Sequence, residues 1–182
     1  VTWALSHDGP VAIRYPKAVL EPGLSNRFGE DRLPVTMGQC EPLIDGPDGL
    51  IIGCGSLAGS CLAAVEELQK EGLNVGLINA RFIKPLDKDT LLKRIQMSPW
   101  VVSVEENTLQ AGFGSAILEA IHDAALQTGP IRRLGIPDQF IEHGDRADLL
   151  SSLTLDASGI ADVCRELSGQ TATAAVAAPL QD

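Results

Sequence analysis

The sequence predicts a three-layer α/β domain. Its sheet has about five strands, mostly parallel with one antiparallel edge strand, and helices cover both faces. Three observations predict this. Short apolar runs recur near residues 50, 75, 100 and 131, with a helical segment between each pair. The runs are rich in Leu, Ile and Val, as strands buried on both faces are. Finally, strand, abrupt stop and capped helix form a repeating unit, clearest in Asn74–Asp87 (NVGLINARFIKPLD), where Lys84-Pro85 breaks the run and Asp87 is placed to cap the next helix.

Taken in order, residues 1–16 contain Gly9-Pro10 and then VAIRYP, an alternating run whose Pro16 forces Tyr15 to be extended. It reads as a strand whose partners lie outside this sequence. Residues 17–33 (KAVLEPGLSNRFGEDRL) carry Gly, Pro and charge without a period and read as an interdomain linker. Regular patterning begins at Pro34. Thr36–Leu43 is an expected strand, and Pro42 confines it to an edge. Asp45-Gly46 and Asp48-Gly49 are expected turn pairs.

Leu50–Ile52 is a buried strand, followed by GCGSLAG and a helix to Glu71 with Leu57, Cys61, Val65 and Leu68 on one stripe. Gly72 supplies its stop. Then come a strand at Val75–Ala80 and a helix at Asp87–Gln96 with Leu91, Leu92 and Ile95 inward. Trp100–Val104 is the next strand and runs into Glu105-Glu106-Asn107. A helix opened by Gly112 and Gly114 turns Ile117, Ala120, Ile121 and Ala124 inward, and Ile131–Leu134 is the last strand. Beyond Ile136 the pattern is irregular until a helix at Asp156–Leu167. Residues 169–182, rich in Ala and Thr, read as a disordered tail. The main domain is thus 34–168.

At 182 residues with 45% hydrophobic and 4% aromatic content, the chain can bury an aliphatic core but lacks an aromatic platform for sugars or bases. A formal charge of −10 disfavours nucleic acid and anionic membrane surfaces as partners. Arg132-Arg133 and Lys93-Arg94 are pairs, not patches. Cys40, Cys54, Cys61 and Cys164 fit neither zinc spacing nor a disulfide framework, so they are expected as buried free thiols in a reducing cytoplasm. No stretch reaches the length of a membrane span, and the chain, which starts at Val1, reads as a piece of a larger protein.

Four candidate sites stand out. Gly53–Gly59 lies between strand and helix, where free amides could hold a phosphate. The following strand ends in Asn79-Ala80-Arg81 without the acid that a dinucleotide ribose requires, so a plain turn is the favoured reading. Glu105 and Glu106 sit at the carboxyl end of a central strand, but adjacent strand residues point to opposite faces, which favours capping and loop fixing over joint acid–base chemistry. His143, between acids in FIEHGD, is read as fixing its loop, and His7 and His122 offer no partners for a metal. Arg14, held on a strand and pinned by Pro16, suits either a bidentate phosphate or an interdomain ion pair.

Several stretches together carry a resemblance. DGPVAIRYPKA (8–18), NARFIKPLD (79–87), VVSVEEN (101–107), AGFGSA (111–116), LGIPDQFIEHG (134–144) and LDASGIAD (155–162) resemble the C-terminal end of the 1-deoxy-D-xylulose-5-phosphate synthase family, thiamine-diphosphate enzymes of transketolase type. RYP and VEEN are shared with transketolases and with β subunits of 2-oxoacid dehydrogenases, whereas LGIPDQFIEHG favours the synthase. The likeness covers roughly residues 1–168. It implies a transferase that condenses pyruvate with D-glyceraldehyde 3-phosphate, losing CO2, and feeds isoprenoid, thiamine and pyridoxal synthesis.

The resemblance further implies a cytoplasmic homodimer requiring thiamine diphosphate and Mg2+, held by upstream domains of the same enzyme. This chain would contain the last strand of the pyrimidine-binding domain (1–16) and a transketolase C-terminal-like domain. It would bind no cofactor and no metal, carry no catalytic residue and be inactive alone. Arg14 matches the arginine with which the family binds the aldehyde's phosphate. Ala111 stands where the family usually has Gly. The rival readings are a 2-oxoacid dehydrogenase β subunit or transketolase, and a non-catalytic interaction domain of the same fold.

Overall fold

In the computed structural model, residues 1–16, 23–28 and 33–177 are described. Among the described residues the elements are α1 (Thr2–Ser6), α2 (Gly23–Phe28), β1 (Glu41–Pro47), β2 (Gly49–Cys54), α3 (Ala58–Lys70), β3 (Val75–Asn79), α4 (Lys88–Gln96), β4 (Val101–Thr108), α5 (Phe113–Asp123), β5 (Ile131–Ile136), α6 (Arg146–Ser152) and α7 (Ala157–Ala177), with a 3-10 turn at Gly55–Leu57. The five strands form one sheet in the order β1-β3-β2-β4-β5. Its ladders are parallel except for β1, which pairs antiparallel with β3. This is the expected architecture.

Alternate residues of each strand feed two separate cores, which makes the sheet a filled middle layer. Ile51, Leu77, Val102 and Val104 pack with Leu57, Cys61, Val65 and Leu68 of the α3 region and with Ile160 and Cys164 of α7. Leu50, Ile52, Ile78 and Val101 point the other way, against Leu91 and Ile95 of α4 and Phe113, Ile117 and Ile121 of α5. The stripe read on α3 is buried throughout, and Gly72 ends that helix with φ +87°. Ala124, expected inward, is instead the exposed C-terminal cap of α5, because the helix ends one residue before it.

Asp87 caps α4 as expected. Its carboxylate accepts from Thr90 N at 3.1 Å and from Cys40 N at 2.9 Å, so one side chain both starts a helix and holds the approach to β1.

The strand expected at Thr36–Leu43 lies further on, at Glu41–Pro47, and Thr36–Gln39 forms a turn closed by Gln39 N on Thr36 O. Asp45-Gly46 is therefore inside β1 and is not a turn. Gly46 is needed there because a Cβ would lie 2.3 Å from Asn74 O, just before β3. Register shifts on either side of Ile44 accommodate the two prolines of this edge strand. Of the second pair, Asp48 is the one-residue bend between β1 and β2, its Oδ2 accepting from Asn74 N at 2.6 Å, and Gly49 already belongs to β2.

Differences concentrate at the ends. Val11–Pro16, expected as a strand, joins no ladder among the described residues, since strand pairing needs a partner. Thr2–Ser6 is helical, and Trp3 stacks on His7 and meets Phe82 edge-on with centroids 5.0 and 5.2 Å away. Within the expected linker, 23–28 is α2, whereas 17–22 and 29–32 lie outside the described residues. The short helix α6 was not anticipated. Of the tail expected to be disordered, 169–177 continues α7, because a run rich in Ala extends a helix already started, and 178–182 lie outside the described residues.

Candidate functional site

The α3 crossover leaves the carboxyl end of β2 for one face of the sheet, and α5 leaves β4 for the other. The carboxyl ends of β2 and β4 therefore flank the point where chain direction across the sheet reverses, where open α/β sheets form a crevice. A cleft of about 300 Å³ lies there, lined by Arg14, Cys54, Ser56, Glu105, Glu106 and Asn107, among others.

The two adjacent carboxylates do opposite jobs, as their alternation on a strand requires. Glu105 is 3% exposed and turns under the sheet end, accepting from Phe113 N at 2.7 Å and Gly114 N at 2.8 Å. It thus caps α5 from a neighbouring strand, placing a negative charge at the positive end of the helix. Gly112 must be glycine, since a Cβ would stand 2.1 Å from Thr108 O and 2.5 Å from the Glu105 carboxylate.

Glu106 faces the cleft. Its carboxylate accepts from Arg146 Nε at 2.9 Å and Arg146 Nη2 at 2.6 Å, and from the Ser56 hydroxyl. Bonding to Arg146 holds this carboxyl below its usual range against the opposing effect of partial burial, with Ser56 and the charge of Arg14 assisting.

Arg14 is exposed at the rim. Among the described residues its hydrogen bond is from Nη2 to the main-chain oxygen of Glu106, at 3.1 Å. A guanidinium has five N–H donors, of which this bond uses one. The third wall is Cys54, whose thiol is pushed up to about 11, chiefly by burial and then by the Glu105 charge, so it is not a ready nucleophile.

Of the residues singled out in the sequence, the structure brings Arg14, Cys54, Glu105 and Glu106 together and leaves His143 apart, exposed in its loop. Asp145, two residues on, accepts from Ala147 N at 2.9 Å and caps α6. The Gly53–Gly59 segment is a turn: Gly55 has φ +67°, and a Cβ on Gly53 would approach Cys61 Sγ to 2.9 Å. Sequence reasoning missed Arg146 and Ser56. Arg146 follows an Asp in HGDRAD, which is a helix-start signal that could have placed it on α6, but no local pattern links it to Glu106.

The four cysteines are free, as expected, with Cys40, Cys61 and Cys164 buried. Among the described residues no group of three or more His, Cys, Asp or Glu side chains could hold a metal ion, and both cleft carboxylates are already engaged. These residues do not fit a magnesium-bound diphosphate.

A mostly parallel sheet with one antiparallel edge strand and a switch-point cleft walled by two engaged carboxylates defines an open α/β domain with a ligand crevice. Residues 38–160 match the family Transketolase, C-terminal domain, and the chain belongs to that family. Among curated proteins it is similar to the 1-deoxy-D-xylulose-5-phosphate synthase of Rhodopirellula baltica, at 42% identity over 168 residues, covering 92% of this chain and 25% of that protein. The synthase 1 of Geobacter sulfurreducens is 39% identical over 87% of this chain and 24% of its own length. The chain thus spans about a quarter of the length of these relatives.

Among solved structures, a split-gene transketolase in an inactive β4 tetramer aligns with a TM-score of 0.69 at 24% identity, over 75% of this chain and 44% of that one. A Pichia stipitis transketolase aligns at 0.54 and 15%, over 72% of this chain and 18% of that one. Both share the fold.

Proposed function

We propose that the chain is the C-terminal part of a 1-deoxy-D-xylulose-5-phosphate synthase. The whole enzyme is a transferase that condenses pyruvate with D-glyceraldehyde 3-phosphate with loss of CO2, within a cytoplasmic homodimer. The observation that carries this reading is the 42% identity to one such synthase over 92% of the chain, which reaches beyond the matched family region into the residues before it. Thiamine diphosphate and Mg2+ belong, on this reading, to the upstream domains, because the donors described in this chain do not suit them. Residues 1–16 are the last piece of the preceding domain, and the chain alone is inactive.

Arg14 is the phosphate ligand of the aldehyde. Its exposure at the cleft rim and its light tether to a carbonyl, not a carboxylate, support this role. In the complete enzyme Arg14→Ala is expected to raise KM for the aldehyde about tenfold or more, since a charged hydrogen bond contributes about 1.5–3 kcal/mol. An unchanged KM would remove Arg14 from the site. Calorimetric titration of the isolated chain with thiamine diphosphate and Mg2+ is expected to show no stoichiometric binding, and tight binding would overturn the division of labour.

A further inference from the structure

We propose that Arg146 is a positioning residue for Arg14: by holding the Glu106 carboxylate, it keeps that carboxylate off the Arg14 guanidinium and leaves the guanidinium for the acceptor's phosphate. The inference rests on the phosphate role given to Arg14 above.

Glu106 stands between two arginines and treats them differently. Its side chain takes the fork of Arg146 through Nε and Nη2, at 2.9 and 2.6 Å, while its main-chain oxygen takes Arg14 Nη2 at 3.1 Å. Arg146 and Glu106 are 33% and 22% exposed at the side chain, so the pair is only partly screened by water. Ser56, on the turn after β2, holds one oxygen of the same carboxylate. The carboxylate is therefore engaged from the α6 side and from the β2 side, and only the neutral carbonyl is offered to Arg14.

The charge of Arg14 nevertheless reaches that carboxylate and favours its ionised form. With Arg146 removed, the Glu106 carboxylate loses its forked partner, and among the described residues Arg14 is the remaining cation acting on it. Carboxylate and phosphate compete for the same planar donors. An incoming phosphate then has to displace an internal anion.

Arg146 sits in the first turn of α6, whose start is set by the Asp145 cap. The stretch after β5 thus reaches the cleft through the Arg146 guanidinium.

The test compares Arg146→Ala, Arg146→Ala with Glu106→Gln, Arg146→Lys and Arg14→Ala in the complete enzyme, with D-glyceraldehyde 3-phosphate and unphosphorylated D-glyceraldehyde as acceptors. Arg146→Ala is expected to raise KM for the phosphorylated aldehyde about fivefold, the size of coupling expected between contacting charges, while kcat and KM for the unphosphorylated aldehyde move less than about twofold. Adding Glu106→Gln removes the competing charge and is expected to bring KM back within about twofold of the parent. Arg146→Lys keeps the charge and is expected to fall between parent and Arg146→Ala.

An unchanged KM in Arg146→Ala, or a double variant no better than the single, overturns the proposal. If Arg146→Ala does not fold, the double variant leaves no unpaired carboxylate and still decides: a KM raised about fivefold or more overturns the proposal. If Arg14→Ala leaves KM unchanged, the failure lies in the phosphate reading itself, which separates the two.

Discussion

The Arg81 guanidinium forks onto the Glu41 carboxylate at the start of the edge strand, with Nη2 on one oxygen and Nε on the other at 3.1 Å. Glu41 is 1% exposed and also accepts from Asn79 Nδ2 at 3.1 Å, while the same arginine donates to Leu33 O and Pro34 O. One buried ion pair thus joins β1, the end of β3 and the segment leading into the domain. Arg81 adopts φ +55° to make this reach, a left-handed backbone that a non-glycine residue holds only at some cost.

Arg81→Ala takes the forked guanidinium away from a buried carboxylate and is expected to cost about 3–5 kcal/mol in urea unfolding. Replacing Glu41 and Arg81 together by Leu is expected to cost less, because both halves of the fork leave together. A single-variant loss under about 1 kcal/mol would show that the pair does not hold the edge strand.

Asp87 gives a prediction with a sign. Partial burial would raise its pKa, but bonds from the Cys40 and Thr90 amides outweigh this and hold the carboxyl below the ordinary 3.8. The ionised form is the one stabilised, so its contribution is complete above pH 3.8 and is lost as pH falls through the depressed value. Asp87→Ala is expected to lose about 1–2 kcal/mol at pH 6. The gap between parent and variant should close on acidification, and a gap that persists undiminished at pH 2 would refute the assignment.

The thiols predict the opposite limb. Burial pushes Cys40 and Cys164 up to about 12 from 9.0, and Cys61 higher. Here the neutral form is the stabilised one, so the contribution is complete below pH 9 and is lost as pH rises from there toward 12. Stability should fall across that window, and replacing the buried cysteines by Ala or Val should flatten the decline. Titration with a thiol reagent at pH 8 should modify Cys54 first. Rapid reaction of all four in the folded chain would contradict their burial.

Ala111 has φ +55° at an exposed position just before α5, where the resemblance leads one to expect Gly. Ala111→Gly relieves a left-handed conformation costing about 1–2 kcal/mol but loosens the unfolded chain by about 0.4–1 kcal/mol. A net gain of between about 0 and 1.6 kcal/mol in thermal or chemical unfolding is expected. A loss would mean that the Ala111 methyl makes contacts that matter more than its backbone.

Patterns confined to a few neighbouring residues were legible in the sequence, and they account for most of the domain. The apolar runs of β2 to β5, the α3 stripe, the Asp87 cap and the stop at Gly72 each arise from period, capping or chirality, which act within one or two turns of chain. Alternation along β4 likewise foretold that Glu105 and Glu106 would part ways, and RYP and VEEN marked two walls of the cleft before any geometry was known.

Tertiary structure decided what depends on partners far apart in the chain. Glu41 finds Arg81 forty residues away by number, Gly46 sits in a strand because β3 approaches too closely for a side chain, and Arg146 reaches back to Glu106 from an unanticipated helix. The physical reason is one of range. Propensity and capping are settled by the residues beside a position, whereas a buried charge or a close backbone approach is settled by whatever the fold brings against it. By itself the sequence determined a mostly parallel α/β domain, the Asp87 cap and the Gly72 stop, and Arg14, Glu105 and Glu106 as candidate residues. Only the fold determined that Glu106 lies between two arginines, with its carboxylate on one and its carbonyl on the other.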